Sequence, residues 1–208
     1  MSPSKTKQAR ARLRRSSNGM LLTPEEFDAA RYDDEDQSRY ELVHGVVIVS
    51  PIPGACERDP NEELGHLLRL HKDVHPQGAV LDKTLNEATI YFPNNRRRAD
   101  RAIWIGLGRL PNPEIDVPTI TIEFVSKRKR DRGRDYEEKR REYLALGVRE
   151  YWVFDRSRHV LTVFRQPPAD PAEVTIEGDR TYQTPLLPGF ELPLGRIWRL
   201  ADEWKRPR

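Results

Sequence analysis

The sequence predicts an α/β fold, a mixed β-sheet flanked by helices. Two observations carry that prediction. Between residues 61 and 154 the apolar spacing changes in the order helix, three strands, helix, strand. The strand segments, among them T-I-T-I-E-F at 119–124, are rich in β-branched residues and bounded by Asn, Pro and Gly.

The elements follow in order. Residues 1–19 are polar, basic and aperiodic, which predicts a disordered arm. Thr23-Pro24-Glu25-Glu26 spells a capping box with proline at the first helical position, opening a short helix to about Tyr32. Residues 40–50 alternate around Gly45 as a strand pair or a bent strand, and Pro51-Ile52-Pro53-Gly54 ends it. Leu64, Leu67, Leu68 and His71 recur at helical spacing over 61–74. Strands are expected at 89–92, 101–107 and 119–125, a helix at 135–146 capped by Gly147, and a hairpin from 150–155 and 159–165. The Pro-rich remainder, with weak strands near Tyr182 and Leu192, is expected to pack on the outside. The domain organisation is thus a 1–19 arm, a 20–165 domain and a 166–208 peripheral extension, without internal repeats.

Composition narrows the functional classes. The 208 residues are 33% charged with a net charge of +3, and Cys56 is the lone cysteine, so a cysteine zinc cluster and an internal disulfide are excluded. No apolar run approaches a membrane span and the basic start lacks a secretory apolar stretch, which predicts a cytoplasmic protein without a membrane partner. Positive charge is concentrated: residues 1–15 hold six Lys or Arg and no acid, and 96–141 hold fourteen against eight acids. Such bands suit a polyanion such as nucleic acid, and equally a solvated charged surface.

The chemistry starts from Glu123. A carboxylate inside an apolar strand is costly to bury and demands a partner. Asp100 stands at the mouth of the apolar strand in R-R-R-A-D-R-A-I-W-I, and two strand-borne acids suggest a hard-cation site for Mg²⁺ or Mn²⁺. Lys139 shares a helix face with Asp135 and Tyr143 and could be aimed at the acids, the alternative being a plain Asp135–Lys139 pair along the helix. For the two acids the alternatives are an arginine-paired buried glutamate and a surface pair of Asp100 with Arg98 or Arg101. The run Lys127, Arg128, Lys129, Arg130, Arg132 and Arg134 could touch phosphates or simply be solvated. His71 and His75 have zinc-ligand spacing, but helix packing is the favoured reading. Trp104 and Trp152 are expected in the core.

Five strings occur in one order: Y-E-L-V-H-G-V-V-I from Tyr40, the acid Asp100 before its strand, I-E-F-V-S from Ile122, D-Y-E-E-K-R-R-E-Y from Asp135, and G-V-R-E-Y-W-V-F-D from Gly147. Together, over about residues 20–165, they resemble the bacterial "putative restriction endonuclease" domain family, an arm of the PD-(D/E)XK nuclease superfamily. That resemblance implies a restriction-endonuclease-like core in which Asp100 and Glu123 are the metal-binding acids. Val125 stands where the usual pattern has lysine, and Lys139 matches the lysine relocated to the following helix. Glu41 matches the acid of the Tyr-Glu-Leu string. Ala99 replaces a proline before Asp100, and Arg58-Asp59-Pro60 occupies a segment where many relatives carry histidine.

The expected function is therefore Mg²⁺-dependent endonucleolytic hydrolysis of DNA, with a homodimer by analogy with nucleases that cut both strands. The alternative is a nuclease-fold module that binds nucleic acid without cutting it; a purely structural domain ranks third.

Overall fold

The computed structural model describes residues 10–33, 37–125 and 134–204, without the side chains of 134 and 135. The run from Lys127 to Arg132, the side chains of Arg134 and Asp135, and residues 1–9 of the basic arm lie outside the described residues. Two compact units are present, residues Met1–Ile52 with Tyr91–Arg98, and residues Pro53–Ile90 with Ala99–Arg208.

In the first unit, β1 (Arg12–Leu13) pairs in parallel with β2 (Arg31–Tyr32). Between them lies α1 (Pro24–Asp28), whose capping box forms as the sequence spells it. Thr23 Oγ1 accepts from the Glu26 amide at 3.2 Å and Glu26 Oε2 accepts from the Thr23 amide at 2.9 Å. The helix stops at Asp28, short of Tyr32, because Arg31 and Tyr32 are recruited to the strand pair. A hairpin follows, β3 (Ser38–Val43) antiparallel to β4 (Val46–Pro51). Its two-residue turn, His44-Gly45, has φ of 50° and 79°, the positive values that match a two-residue turn to the twist of its strands. Leu13, Phe27, Tyr40, Leu42 and Val47 form the core of this unit. Glu41 is buried and its Oε1 accepts from the Arg98 amide at 2.9 Å.

The second unit opens with α2 (Ala55–Val74), six residues earlier than the spacing predicted. Pro60 lies inside the helix, and the start is set by Glu57, whose Oε2 accepts from the Gly54 amide at 3.2 Å. Leu64, Leu67, Leu68 and His71 are buried as expected. The zinc spacing of the histidines resolves as packing: the rings of His71 and His75 stack at 4.7 Å, and His71 meets Phe190 edge-on. Burial, with the neighbouring His75 acting in the same direction, lowers the His71 pKa.

β5 (Leu81–Tyr91) belongs to this unit up to Ile90 and β6 (Arg96–Ile105) from Ala99, while β7 (Ile120–Val125), β8 (Glu150–Asp155), β9 (Val160–Arg165) and β10 (Glu173–Glu177) lie wholly within it. Their order is β10-β9-β8-β7-β6, with β5 paired to β6. β7 and β8 are parallel and the other registered pairs antiparallel, so the chain between β7 and β8 must cross over a sheet face. A π-helical turn (Arg134–Lys139) continued by α3 (Arg140–Leu146) lies in that crossover, and Gly147 ends it at φ 109°. Both β5 and β6 start earlier than predicted, since polar residues mask their first halves.

One face of the sheet carries Ile103, Ile120, Ile122, Phe124, Trp152, Phe154, Leu161 and Val163. They form one apolar cluster with Leu64, Leu67 and Leu68 of α2 and with Ile197 and Trp198 of α4 (Leu194–Glu203). Each fully buried Leu, Ile or Phe there contributes about 1.5–3 kcal/mol relative to exposure. β11 (Thr181–Tyr182) and β12 (Leu192–Pro193) pair with each other ahead of α4. Trp104, Trp152 and Trp198 are buried, whereas Trp204 is exposed and donates to Asp59 Oδ2 at 2.8 Å. No helix among the described residues is long and apolar enough to cross a membrane.

Candidate active site

Antiparallel pairing fixes where the two acids stand. The β6–β7 register runs through Ile103↔Ile120 and Ala102↔Thr121 to Arg101↔Ile122. Asp100 and Glu123 are the next residues in that register, so they fall on one face. Alternation then sends Ile122 and Phe124 into the apolar cluster and Glu123 to the opposite side, toward the crossover. Asp100 Oδ2 accepts from the Phe124 amide at 2.6 Å, a short charge-assisted bond that ties the first acid to the strand of the second.

Glu123 finds its partner in the crossover. Lys139 Nζ lies 2.7 Å from Glu123 Oε1, and the Tyr143 hydroxyl donates to the same oxygen at 3.2 Å. Lys139 and Tyr143 are four residues apart, so one helical face delivers both donors. Asp100, Glu123 and Lys139 are 5%, 4% and 2% exposed. The group is thus nearly enclosed among the described residues, rather than lining a solvent-reachable hollow.

Arg101 is bound elsewhere than in a surface pair with Asp100. Its Nε donates to Asn61 Oδ1 at 2.7 Å, Nη2 to the Asn61 carbonyl at 2.7 Å and Nη1 to Thr84 Oγ1 at 3.0 Å. Asn61 in turn donates to the Asp100 carbonyl at 2.9 Å, so α2 holds the backbone of the acid itself. Burial is the largest influence on Arg101 and lowers its pKa to about 10, which leaves it charged at neutral pH. Gly65 makes room for it: a Cβ there would sit 2.6 Å from the guanidinium.

Sequence reasoning missed Glu57. On α2 its Oε1 takes Arg156 Nη2 at 3.2 Å. Burial raises the Glu57 pKa, the Arg156 charge opposes that, and the Asp100 charge adds to it. The Gly54-x-x-Glu57 spacing was the available signal, but it reads as a local cap. Glu41 belongs to the first unit, where it caps the Arg98 amide. An open hollow of about 440 Å³ lined by Arg149, Arg165 and Pro167 lies beside Glu150, away from Asp100, Glu123 and Lys139, none of which lines it.

Two carboxylates on rigid strands offer oxygen donors without thiolate or imidazole, which fits a hard divalent cation.

No protein of curated function matches the chain. Among solved structures, the crystal structure of a putative nuclease belonging to DUF820, from Anabaena variabilis ATCC 29413, superposes with a TM-score of 0.66 at 15% identity. The match covers 86% of this chain and 99% of that one, and it shows a shared fold. Residues 24–195 match the Uma2 family, described as "Putative restriction endonuclease". With most of its length inside that match, the chain belongs to the Uma2 family.

Proposed function

We propose that the protein is an endonuclease that hydrolyses DNA phosphodiester bonds with the help of Mg²⁺ or Mn²⁺. Asp100 and Glu123 are the residues that would hold the cation, Lys139 is the catalytic cation, and Glu41 is an assisting acid. The observation that carries the reading is the meeting of Lys139 with Glu123 at 2.7 Å, beside the strand amide that binds Asp100. A bound divalent cation supplies positive charge against the phosphate oxygens and lowers the pKa of water.

The chain's own residues do the rest. Asp100, fixed by the Phe124 amide, and Glu123, fixed by Tyr143, present oxygens in a set geometry. The Lys139 ammonium, carried on a helix and held by Glu123, is placed to donate to an anionic phosphate oxygen as charge grows there. In the hydrolysis a water oxygen bonds to phosphorus, the bond to the leaving sugar oxygen breaks, and a proton ends on that oxygen. The positive bands at 1–15 and 96–141 favour a polyanionic substrate. Action in the cytoplasm, and as a homodimer where both strands are cut, completes the proposal.

Supercoiled plasmid incubated with Mg²⁺ tests it. Wild type should yield nicked and linear products, while Asp100→Ala and Lys139→Ala, checked for folding by circular dichroism, should not. Unchanged cleavage by both variants refutes the assignment. Salt-sensitive duplex binding without cutting, insensitive to metal and to loss of both acids, would instead establish a binding module.

A further inference from the structure

Arg156 is a charged group of the second unit that the proposed chemistry does not use. It follows β8 directly, in the turn to β9, and its Nη2 contacts Glu57 Oε1 at 3.2 Å. Glu57 is itself fixed, because its other oxygen accepts from the Gly54 amide at the start of α2. The carboxylate therefore acts as a mount that sets the direction of the guanidinium. The Asp100 charge acts on Glu57, which brings the pair within electrostatic range of the first acid.

Two features distinguish Arg156 from a saturated structural arginine. Its Nε is buried and has no hydrogen-bond partner among the described residues. The hydrogen-bonding capacity of this arginine is therefore not fully spent inside the protein. The side chains of Arg156 and Glu57 also keep 14% and 17% exposure, so the pair borders solvent. Arg101 shows the contrast: each of its nitrogens has an acceptor on α2 or β5.

A planar guanidinium with one arm mounted on a carboxylate and part of its side chain at solvent can donate to a phosphodiester oxygen. We propose that Arg156 holds a backbone phosphate of the nucleic acid, mounted in place by Glu57. The proposal rests on the nuclease reading above and adds a substrate contact to it. The bland counterpart is a tie between α2 and the β8–β9 turn.

Anisotropy of a labelled DNA duplex, with Ca²⁺ in place of Mg²⁺ to limit cutting, is measured across a salt series, beside plasmid cleavage in Mg²⁺. Arg156→Ala should weaken duplex affinity by about tenfold, the loss of one charge-assisted bond. It should also reduce the slope of log affinity against log salt by about one, the signature of one lost phosphate contact. Arg156→Lys should restore the slope but only part of the affinity, since a point charge replaces a fork. If Arg156→Ala and Glu57→Ala lower the melting temperature alike while Arg156→Ala leaves slope and affinity within twofold of wild type, the pair is only a tie and the proposal falls. In that event continued cleavage by wild type preserves the nuclease reading; wild type that neither binds nor cuts the duplex overturns both.

Discussion

Glu123 and Glu150 are both glutamates in apolar strands, on neighbours that run parallel, and the protein satisfies them with different sets of donors. Glu150 Oε2 accepts from Trp152 Nε1 at 2.9 Å, Thr184 Oγ1 at 2.9 Å and the Tyr182 hydroxyl at 3.3 Å, while Oε1 takes Arg165 Nε at 3.2 Å. Both oxygens are used, by donors on β8, β9 and the segment after residue 180. Such a carboxylate is a fastener. The named partners of Glu123 are Lys139 and Tyr143, both on Oε1 and both from one helical face. A compact ammonium on a flexible stem can share itself with an arriving anion more readily than three neutral donors and one guanidinium fixed around Glu150 can. Burial alone therefore does not separate the two glutamates; the kind of partner does.

The largest expected effect tests the dependence of Glu123 on its ammonium. Lys139→Ala strands a buried carboxylate and should lower unfolding free energy by about 3–5 kcal/mol in a denaturant titration, with Glu123→Gln on top recovering part of it. A loss below about 1 kcal/mol would mean that Glu123 does not need Lys139, and the contrast with Glu150 would collapse.

The Glu150 side is read by alkaline pH. Burial, followed by the Glu150 charge, pushes the Tyr182 pKa up to about 12 from the ordinary 10. A raised folded-state pKa means that this stabilisation is complete below pH 10 and disappears as pH rises through about 12. The two-unit difference sets about 2–3 kcal/mol as its ceiling. Stability should fall over that window in wild type and much less in Tyr182→Phe; equal profiles would remove Tyr182 from the network.

Gly65→Ala sharpens the comparison near Asp100. The added methyl meets the Arg101 guanidinium, so about 1–3 kcal/mol should be lost, with weaker cleavage because Asn61 and Arg101 hold the strand of the acid. Full stability would show that Arg101 can move aside freely. The smallest effect belongs to Thr184→Val, which removes one donor from Glu150: about 0.5–1.5 kcal/mol, with plasmid cleavage unchanged. Impaired cleavage there would show that Glu150 does more than fasten.

Much of this was legible in the chain. The desolvation cost of Glu123 identified it before any coordinates, and the four-residue spacing of Lys139 and Tyr143 placed both on one face. Asp100 was legible as an acid opening an apolar strand. The starts of α2 and β6 were not, because Pro60 and the polar stretch Arg96-Arg97-Arg98 read as interruptions, while long-range pairing and burial carry the elements through them. Glu150 was passed over as an ordinary strand opening, since Tyr182 and Thr184 lie 32 and 34 residues away.

The sequence by itself determined the kinds of elements, their order, and the requirement that an acid at position 123 be neutralised, because propensity, period and desolvation act over a few residues. The tertiary structure decided which partner answers each charge. Strand register sets the face on which Glu123 emerges, the crossover brings Lys139 to that face, and α2 takes Arg101 away from Asp100. Those choices depend on contacts between residues far apart in the chain, whose distances no local pattern encodes.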